Sequence, residues 1–394
     1  MRWSVVQVVP EQDSVASEQH VPAQQLADAQ WLRLAVVGTG ALGSTLLALL
    51  AESDFRNIHL IDPDSVEPAN LPLSGFLSAA VLHNDADTVN KAALLAAEAT
   101  RTRGLHWQAH PCEVADVGWQ VLREADVICC CTDSALSRVE TAYIARVLGK
   151  PMLDGAVFGD GIPEGRVSWL SPEPAAACYL CGMGESSRAA VLGYAASASL
   201  GCTPAPEPAS MTGTVATLRK VAATMLQQLG RGVNRKPAES VAVRLRPSRG
   251  EEEGAWQAAA HALPRSATCP WHNHLPATLE PLPWETPFRE LLISLSRNGA
   301  APVVDFAWPI CTEALCGVCG ARTSPCRRVG VVRRRAQCGV CGTHGLRPVA
   351  VLHRLGTTHP LAALTPRQLG LPDRHLYCVR QAATMNRKMY GGGK

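Results

Sequence analysis

Residues 33–64 read as strand, glycine turn, helix and strand: RLAVVG, TGALG, STLLALLAES and NIHLIDPD. That succession is a βαβ unit, which commits the chain to a parallel sheet with helices on its faces. The text that follows agrees. Helical spacing appears at 89–99, a strand near 106–112, a fully apolar strand in ADVICCCTD at 125–133, a helix at 139–148, and two short strands with Gly-rich turns in 150–172. An unbroken apolar strand is what a sheet buried on both faces requires. The first part of the chain is therefore expected to be α/β, a Rossmann-like doubly wound sheet.

A chain of 394 residues, 47% hydrophobic and 18% charged with a formal charge of +3, is globular and has room for two to three domains. That charge argues against nucleic acid as a partner. The N-terminus MRWSVVQVVPEQDSV lacks a basic region followed by an apolar run and a cleavage site, so a cytoplasmic location is expected. The uncharged stretch 34–51 is long enough to raise a membrane span, but Gly38, Gly40 and Gly43 interrupt it, and no membrane association is expected. Residues 1–30 read as an N-terminal extension. After Cys178 come a helix at 214–229 and a charged, Gly- and Pro-containing segment at 231–254. The Pro-rich stretch 275–287 is the linker candidate, which places a boundary near 285. Residues 286–394, rich in Cys, Arg and Val, then read as a small metal-stapled domain.

Gly38, Gly40 and Gly43 fit GxGxxG directly after a strand, where a helix N-terminus offers free N–H groups to phosphate. Asp62 falls at the end of the next strand, where it can accept hydrogen bonds from a ribose. A nicotinamide dehydrogenase shares both features. Fifteen cysteines in a reducing compartment point to metal or chemistry rather than to bridges. Cys316, Cys319, Cys338 and Cys341 form a C-x2-C-x18-C-x2-C array from two CGVCG pentapeptides, a zinc-ribbon signal. Cys311 and Cys326 are alternates. Arg322, Arg327, Arg328, Arg333, Arg334 and Arg335 cluster inside the array, as a solvated face or a docking surface. The interval lacks aromatics for base stacking.

The run from Asp62 through Asp64, Glu67 and Asn70 to Leu71 resembles the D-x-D-x-V-E-x-x-N-L signature of the ThiF/MoeB/HesA family, the adenylating superfamily that includes the ubiquitin-activating enzymes. Lys91 resembles the lysine that closes the family's D-x-G-x-x-K segment. Thr132, Asp133 and Arg138 match t-D-n-x-x-x-R, residues 155–165 resemble its Gly-rich strand pair, and Cys178 to Cys181 match its C-Y-x-C knuckle. The resemblance covers roughly residues 30–275. It implies a ThiF/MoeB-type adenylation domain that uses ATP, with Lys91 a cation at the phosphates, Asp133 holding magnesium and Asn70 on phosphate or ribose. Arg138 either contacts nucleotide or makes a salt bridge within the domain, and Asp64 either serves the nucleotide or caps the following turn. A solvated Lys91 is the bland alternative. The resemblance also implies a second knuckle, supplied by Cys269 and His272, so that Cys178, Cys181, Cys269 and His272 form a zinc set of three cysteines and one histidine; His274 is the alternate to His272, and a reduced, buried cysteine pair is the bland alternative.

The chain departs from the family twice. Where N-L-x-R-Q is usual it reads Asn70-Leu71-Pro72-Leu73-Ser74, with no arginine, and the lysine motif has lost its glycine. Cys202, in SLGCTPAPEP, lies where the family often places an acyl-accepting thiol; the alternative is an unreactive loop cysteine. The implied activity is adenylation of the C-terminal glycine of a ubiquitin-like or sulfur-carrier protein with a Gly-Gly end, with thioester transfer to Cys202, a conjugating enzyme downstream and a homodimeric assembly. Two alternatives stand beside it: adenylation of a peptide C-terminus in natural-product maturation, and a nucleotide-binding pseudoenzyme scaffold that recruits partners through the Arg-rich ribbon. The terminal Tyr390-Gly391-Gly392-Gly393-Lys394 reads as a disordered tail, with substrate mimicry as the alternative.

Overall fold

Arg33–Val37 forms strand β1, Ala41–Glu52 helix α1 and Asn57–Ile61 strand β2 in the computed structural model, which describes residues 29–73, 75–82, 90–158, 164–188, 208–232, 239–248, 256–272, 279–296, 302–334, 336–344 and 346–381. The chain continues through α2 (Gly75–Leu82), α3 (Lys91–Arg103), β3 (Gln108–His110), α4 (Trp119–Glu124), β4 (Val127–Cys130), α5 (Ala135–Val147), β5 (Met152–Phe158), β6 (Glu164–Leu170), α6 (Pro208–Gly232), β7 (Val241–Pro247) and β8 (Trp256–Ala262). These strands form one eight-stranded sheet in the order β3-β2-β1-β4-β5-β6-β7-β8. The pairs from β3 to β5 are parallel, and β6, β7 and β8 add an antiparallel edge. Sheet growth reverses direction between β1 and β4, and in an open α/β sheet that switch point opens a ligand crevice.

The core explains the apolar text. Leu34, Val36, Leu60, Cys129 and Leu153 are buried from the strands, and Leu46, Leu47, Leu50 and Met225 from α1 and α6. At β5 the two faces separate by alternation. A side chain at Gly155 would meet Leu42 of α1 and Met225 of α6, whereas Asp154 receives Arg138 of α5. Helix α6 begins earlier than the expected 214 and ends later than 229. The charged segment at 231–254 conceals β7, whose VAVRLRP buries Ala242, Val243 and Leu245 and exposes Arg244 and Arg246. That alternation is the mark of a strand with one wet face.

One glycine is fixed by close approach. A Cβ on Gly43 would lie 2.0 Å from the backbone oxygen of Gly38, whereas one on Gly40 would meet nothing within 4 Å. Gly43→Ala is therefore expected to lower stability by about 3 kcal/mol, since the obstacle is backbone. Gly40→Ala is expected to change it by less than about 0.5 kcal/mol. Urea-unfolding midpoints of the two variants check the contrast, and equal midpoints would sink it.

A second compact unit is built on residues 275–394, with the short Gly118–Gln120 segment. It contains β9 (Leu279–Pro281), α7 (Phe288–Ser294), β10 (Pro302–Cys316), β11 (Arg322–Thr323), β12 (Arg327–Arg328), α8 (Val329–Arg334), β13 (Leu346–Gly356) and β14 (Leu376–Gln381). The 15-residue β10 is the centre of a six-stranded sheet. The unit begins ahead of position 285 because β9, inside the Pro-rich stretch, pairs with β14 and is not a linker. It is also more than a metal-stapled ribbon. Phe288, Leu292, Val304, Leu355, Leu369 and Tyr377 form an apolar core, separate from the smaller cluster of Cys311, Ala314, Cys316, Val332, Cys338 and Leu346 around the cysteine array. Residues 275–394 carry sixteen Lys and Arg against six Asp and Glu, a formal +10, so within a total of +3 the first 274 residues carry −7.

Candidate functional site

The glycine turn lies at the β1/β4 switch point. The N–H of Cys131 donates to Val37 O (2.8 Å), and a side chain on Gly38, whose φ is +85°, would meet Thr132 N at 2.8 Å. The turn and the Thr132-Asp133 pair are therefore held together. Gly40 is the N-cap of α1 and brings no side-chain hydrogen bond to it. Its first-turn N–H groups face the crevice mouth with the positive end of the helix dipole, an arrangement suited to phosphate.

Asp62 ties this turn to the end of β2. The N–H and hydroxyl of Thr39 donate to Asp62 Oδ2 (2.6 and 3.1 Å), and the N–H of Asp64 donates to Oδ1 (2.8 Å). Burial raises the Asp62 carboxyl above its ordinary pKa, opposed by the N–H groups of Thr39 and Asp64. Lys91 is only 8% exposed, so it is not a solvated lysine. Its N–H donates to Asp64 O (2.9 Å) and its Nζ lies 3.8 Å from Asp64 Oδ2. Asn90 is a residue that sequence reasoning missed. Its Nδ2 donates to the carbonyls of Asp62 (2.7 Å) and Asp64 (3.1 Å), while its Oδ1 accepts from Ala93 N (3.1 Å) and caps α3. An Asn directly before a helical run was the available signal.

Asp133 is exposed just beyond β4, where Ser134 caps α5 by accepting from Ser137 N (3.4 Å). Arg138, four residues on from that cap, turns inward. Its Nη1 pairs with the fully buried Asp154 and donates to Gly155 O (2.8 Å), and Arg166 Nη2 donates to the other Asp154 oxygen (3.0 Å). Asp154 raises the Arg138 pKa further against the lowering effect of burial. Arg138 thus makes the salt bridge within the domain that is one of its two expected roles. Leu73, at the sequence position where the family pattern carries an arginine, is half-buried and packs on the core. Asn70 lies in the 3-10 turn Pro68–Leu73, but its side chain falls outside the described residues, as do Cys202 and the 390–394 tail. Burial pushes Cys129 and Cys130 up to about 12, which makes them inert core.

The two cysteine arrays converge as their spacing and the family pattern predict. Cys178 Sγ lies 3.7 Å from Cys181 Sγ and 3.4 Å from Cys269 Sγ, and Cys181 Sγ lies 3.1 Å from His272 Nε2. All four donor atoms fall within 4.8 Å of one another, as do those of Cys316, Cys319, Cys338 and Cys341. A tetrahedron with Zn–S of about 2.3 Å has edges of about 3.8 Å. Both donor sets, one of three sulfurs and a nitrogen and the other of four sulfurs, therefore fit zinc. The hydrogen bond from Cys178 holds the Cys181 thiol down at about 4. A hydrogen bond from Thr343 holds Cys341 at about 6. The two CGVCG repeats fold alike: Gly320 and Gly342 take φ of +69° and +71°, and their N–H groups donate to Cys316 O (3.1 Å) and Cys338 O (2.8 Å). Among the described residues no helix is long and apolar enough to cross a membrane.

The family model described as ThiF family matches residues 15–269. The NEDD8-activating enzyme E1 catalytic subunit of Caenorhabditis elegans is 31% identical over 141 residues, which is 35% of this chain and 31% of that protein. Adenylyltransferase and sulfurtransferase UBA4 of Kluyveromyces lactis is 27% identical over 153 residues, covering 37% and 32% of the two chains. Adenylyltransferase and sulfurtransferase MOCS3 of Arabidopsis thaliana is 27% identical over 160 residues, covering 37% and 33%. The chain thus spans about a third of the length of these relatives. Among solved structures, E. coli MccB with ATP is similar at a TM-score of 0.43 and 16% identity, covering 64% of this chain and 69% of that one.

Proposed function

Because the chain belongs to the ThiF family, we propose that it is an adenylyltransferase that activates the C-terminal carboxylate of a protein or peptide with ATP. A carboxylate oxygen attacks the α-phosphorus, the bond to the bridging oxygen breaks, and pyrophosphate leaves with its electron pair. The observation that supports this reading is the meeting of the glycine turn, Asp62 and Thr132-Asp133 at the switch point of the sheet.

Each group has a task set by charge. The N–H groups of α1 receive phosphate, and Lys91, held by Asp64 in the first turn of the helix that Asn90 caps, supplies a cation where negative charge builds in the transition state. Asp133 is the carboxylate placed to hold magnesium, which when bound neutralises phosphate oxygens. The favoured substrate is a ubiquitin-like or sulfur-carrier protein with a Gly-Gly end, with a second copy of the chain and a conjugating enzyme as further partners, in the cytoplasm. Cys202 is the proposed acceptor of the activated acyl group, by attack of its thiolate on the adenylate carbonyl with loss of AMP. The packing of Leu73 into the core favours a second reading, a nucleotide-binding scaffold of low turnover.

ATP–pyrophosphate exchange that depends on a Gly-Gly-ended carrier tests the proposal. Lys91→Ala and Asp133→Asn are each expected to lower exchange by about 10²- to 10³-fold. Exchange supported by a short peptide and not by any carrier reassigns the substrate, and nucleotide binding without exchange selects the scaffold. Cys202→Ala should abolish a thiol-labile conjugate while exchange persists.

A further inference from the structure

Arg146, in the last turn of α5, is 6% exposed. Among the described residues no carboxylate pairs with it, and its Nε and Nη1 are buried without a hydrogen-bond partner. Its Nη2 donates to Pro174 O (3.3 Å) and lies 3.0 Å from His272 Nδ1. The guanidinium lines a small cavity shared with Lys150, Ser171, Cys178 and Tyr179. An arginine buried without a counter-charge is strongly destabilising.

We infer that Arg146 is the counter-charge and positioning residue of a zinc centre formed by Cys178, Cys181, Cys269 and His272. A zinc dication with three thiolates and a neutral imidazole carries −1, which one guanidinium cancels. Burial makes the cancellation necessary, because Cys178 and Cys269 are buried. The four-cysteine array carries −2 by the same count, but its Cys319 and Cys341 are exposed, so water screens it.

Ligation through Nε2, the ring nitrogen 3.1 Å from Cys181 Sγ, requires the His272 proton on Nδ1, which then donates to Pro174 O at 3.2 Å. Arg146 Nη2, a donor 3.0 Å from that Nδ1, then acts on the ring through its charge and the shared carbonyl and not through a hydrogen bond to the imidazole. The Pro174 carbonyl thus accepts from both His272 and Arg146. Helix α5 gains an anchor as well. It begins beside Asp133, and its later turns hold the metal knuckle through Arg146 and through Tyr143, whose ring packs edge-on to Trp271 at 5.7 Å.

The inference rests on the reading that both cysteine arrays hold zinc, and chelator competition on the full-length protein separates the two. Wild type should contain two zinc ions per chain, with Cys269→Ser losing one. Arg146→Met is expected to weaken that same ion by about 10- to 100-fold and to leave the ion of the four-cysteine array unchanged as an internal reference. Arg146→Lys, which keeps the charge, should stay within about threefold of wild type. In the cobalt-substituted protein the absorption bands of the histidine-containing centre should shift in Arg146→Met and not in Arg146→Lys. Unchanged affinity in Arg146→Met, an equal fall in both ions, or a fall in Arg146→Lys as large as in Arg146→Met overturns the role of Arg146. A wild-type zinc content that Cys269→Ser does not alter overturns the metal reading itself.

Discussion

Asp154→Asn is expected to destabilise the first unit by about 3 to 5 kcal/mol, the usual effect of removing one partner from a buried ion pair. Asp154 has no exposed surface and serves two guanidiniums, those of Arg138 and Arg166. Asparagine keeps the shape but leaves Arg138, itself largely buried, without its counter-charge. Arg138→Met should be less harmful, because Asp154 retains Arg166, and the double variant should be more stable than the sum of the singles predicts. Urea unfolding of the four proteins measures the coupling. A loss under about 1 kcal/mol in Asp154→Asn, or strict additivity, would show that the triad does not act as a unit. Asp154 pairs in register with Cys130 at the end of β4, so under the proposed function nucleotide affinity should fall with stability.

Zinc removal should act unevenly across the second unit. Its cysteine array sits on the small cluster of Cys311, Ala314, Val329, Val332 and Leu346, whereas Phe288, Val304, Leu355 and Tyr377 form a separate core. Metal binding to such arrays supplies much of the local folding free energy, apparent values reaching about 10 to 16 kcal/mol in isolated zinc fingers. With the metal chelated, amides of residues 316–346 are expected to lose on the order of a thousandfold in hydrogen-exchange protection, about 4 kcal/mol of local stability. Amides of β14 and of the Pro302 end of β10 should remain protected. Uniform loss across the unit would mean that the apolar core does not stand without the metal, and no loss would mean that the cysteines carry no structural ion.

What was legible in the sequence was local. The βαβ unit, Asp62 at the end of its strand and the CGVCG pairs are set by residues close in the chain, and their period or spacing forces the geometry. The partners of Arg138 were not legible, because Asp154 is 16 residues away and reaches it only when β5 lies beside α5. Leu73 is similar. Its sequence shows a missing cation, and only the fold shows that the side chain packs on the core. β10 escaped because Pro309 interrupts PVVDFAWPICTEALC and register shifts after Asp305 and Cys311 break the strict alternation that would have announced it. The long separation between the knuckles at Cys178 and Cys269 was bridged by family resemblance, since spacing alone does not pair them.

The formal +3 of this chain conceals two units of opposite sign, +10 and −7. At physiological ionic strength an electric field in solution decays over about 8 Å. A compact body of 120 residues has a radius of gyration of about 14 Å. Over that range the field set up by a unit is governed by its own charges more than by the sum over the chain. Encounters with acidic and basic neighbours are both accelerated at low salt, each at its own unit. The isoelectric point of about 8.2 consequently reflects two large and opposite charges and not the near-neutrality of either unit.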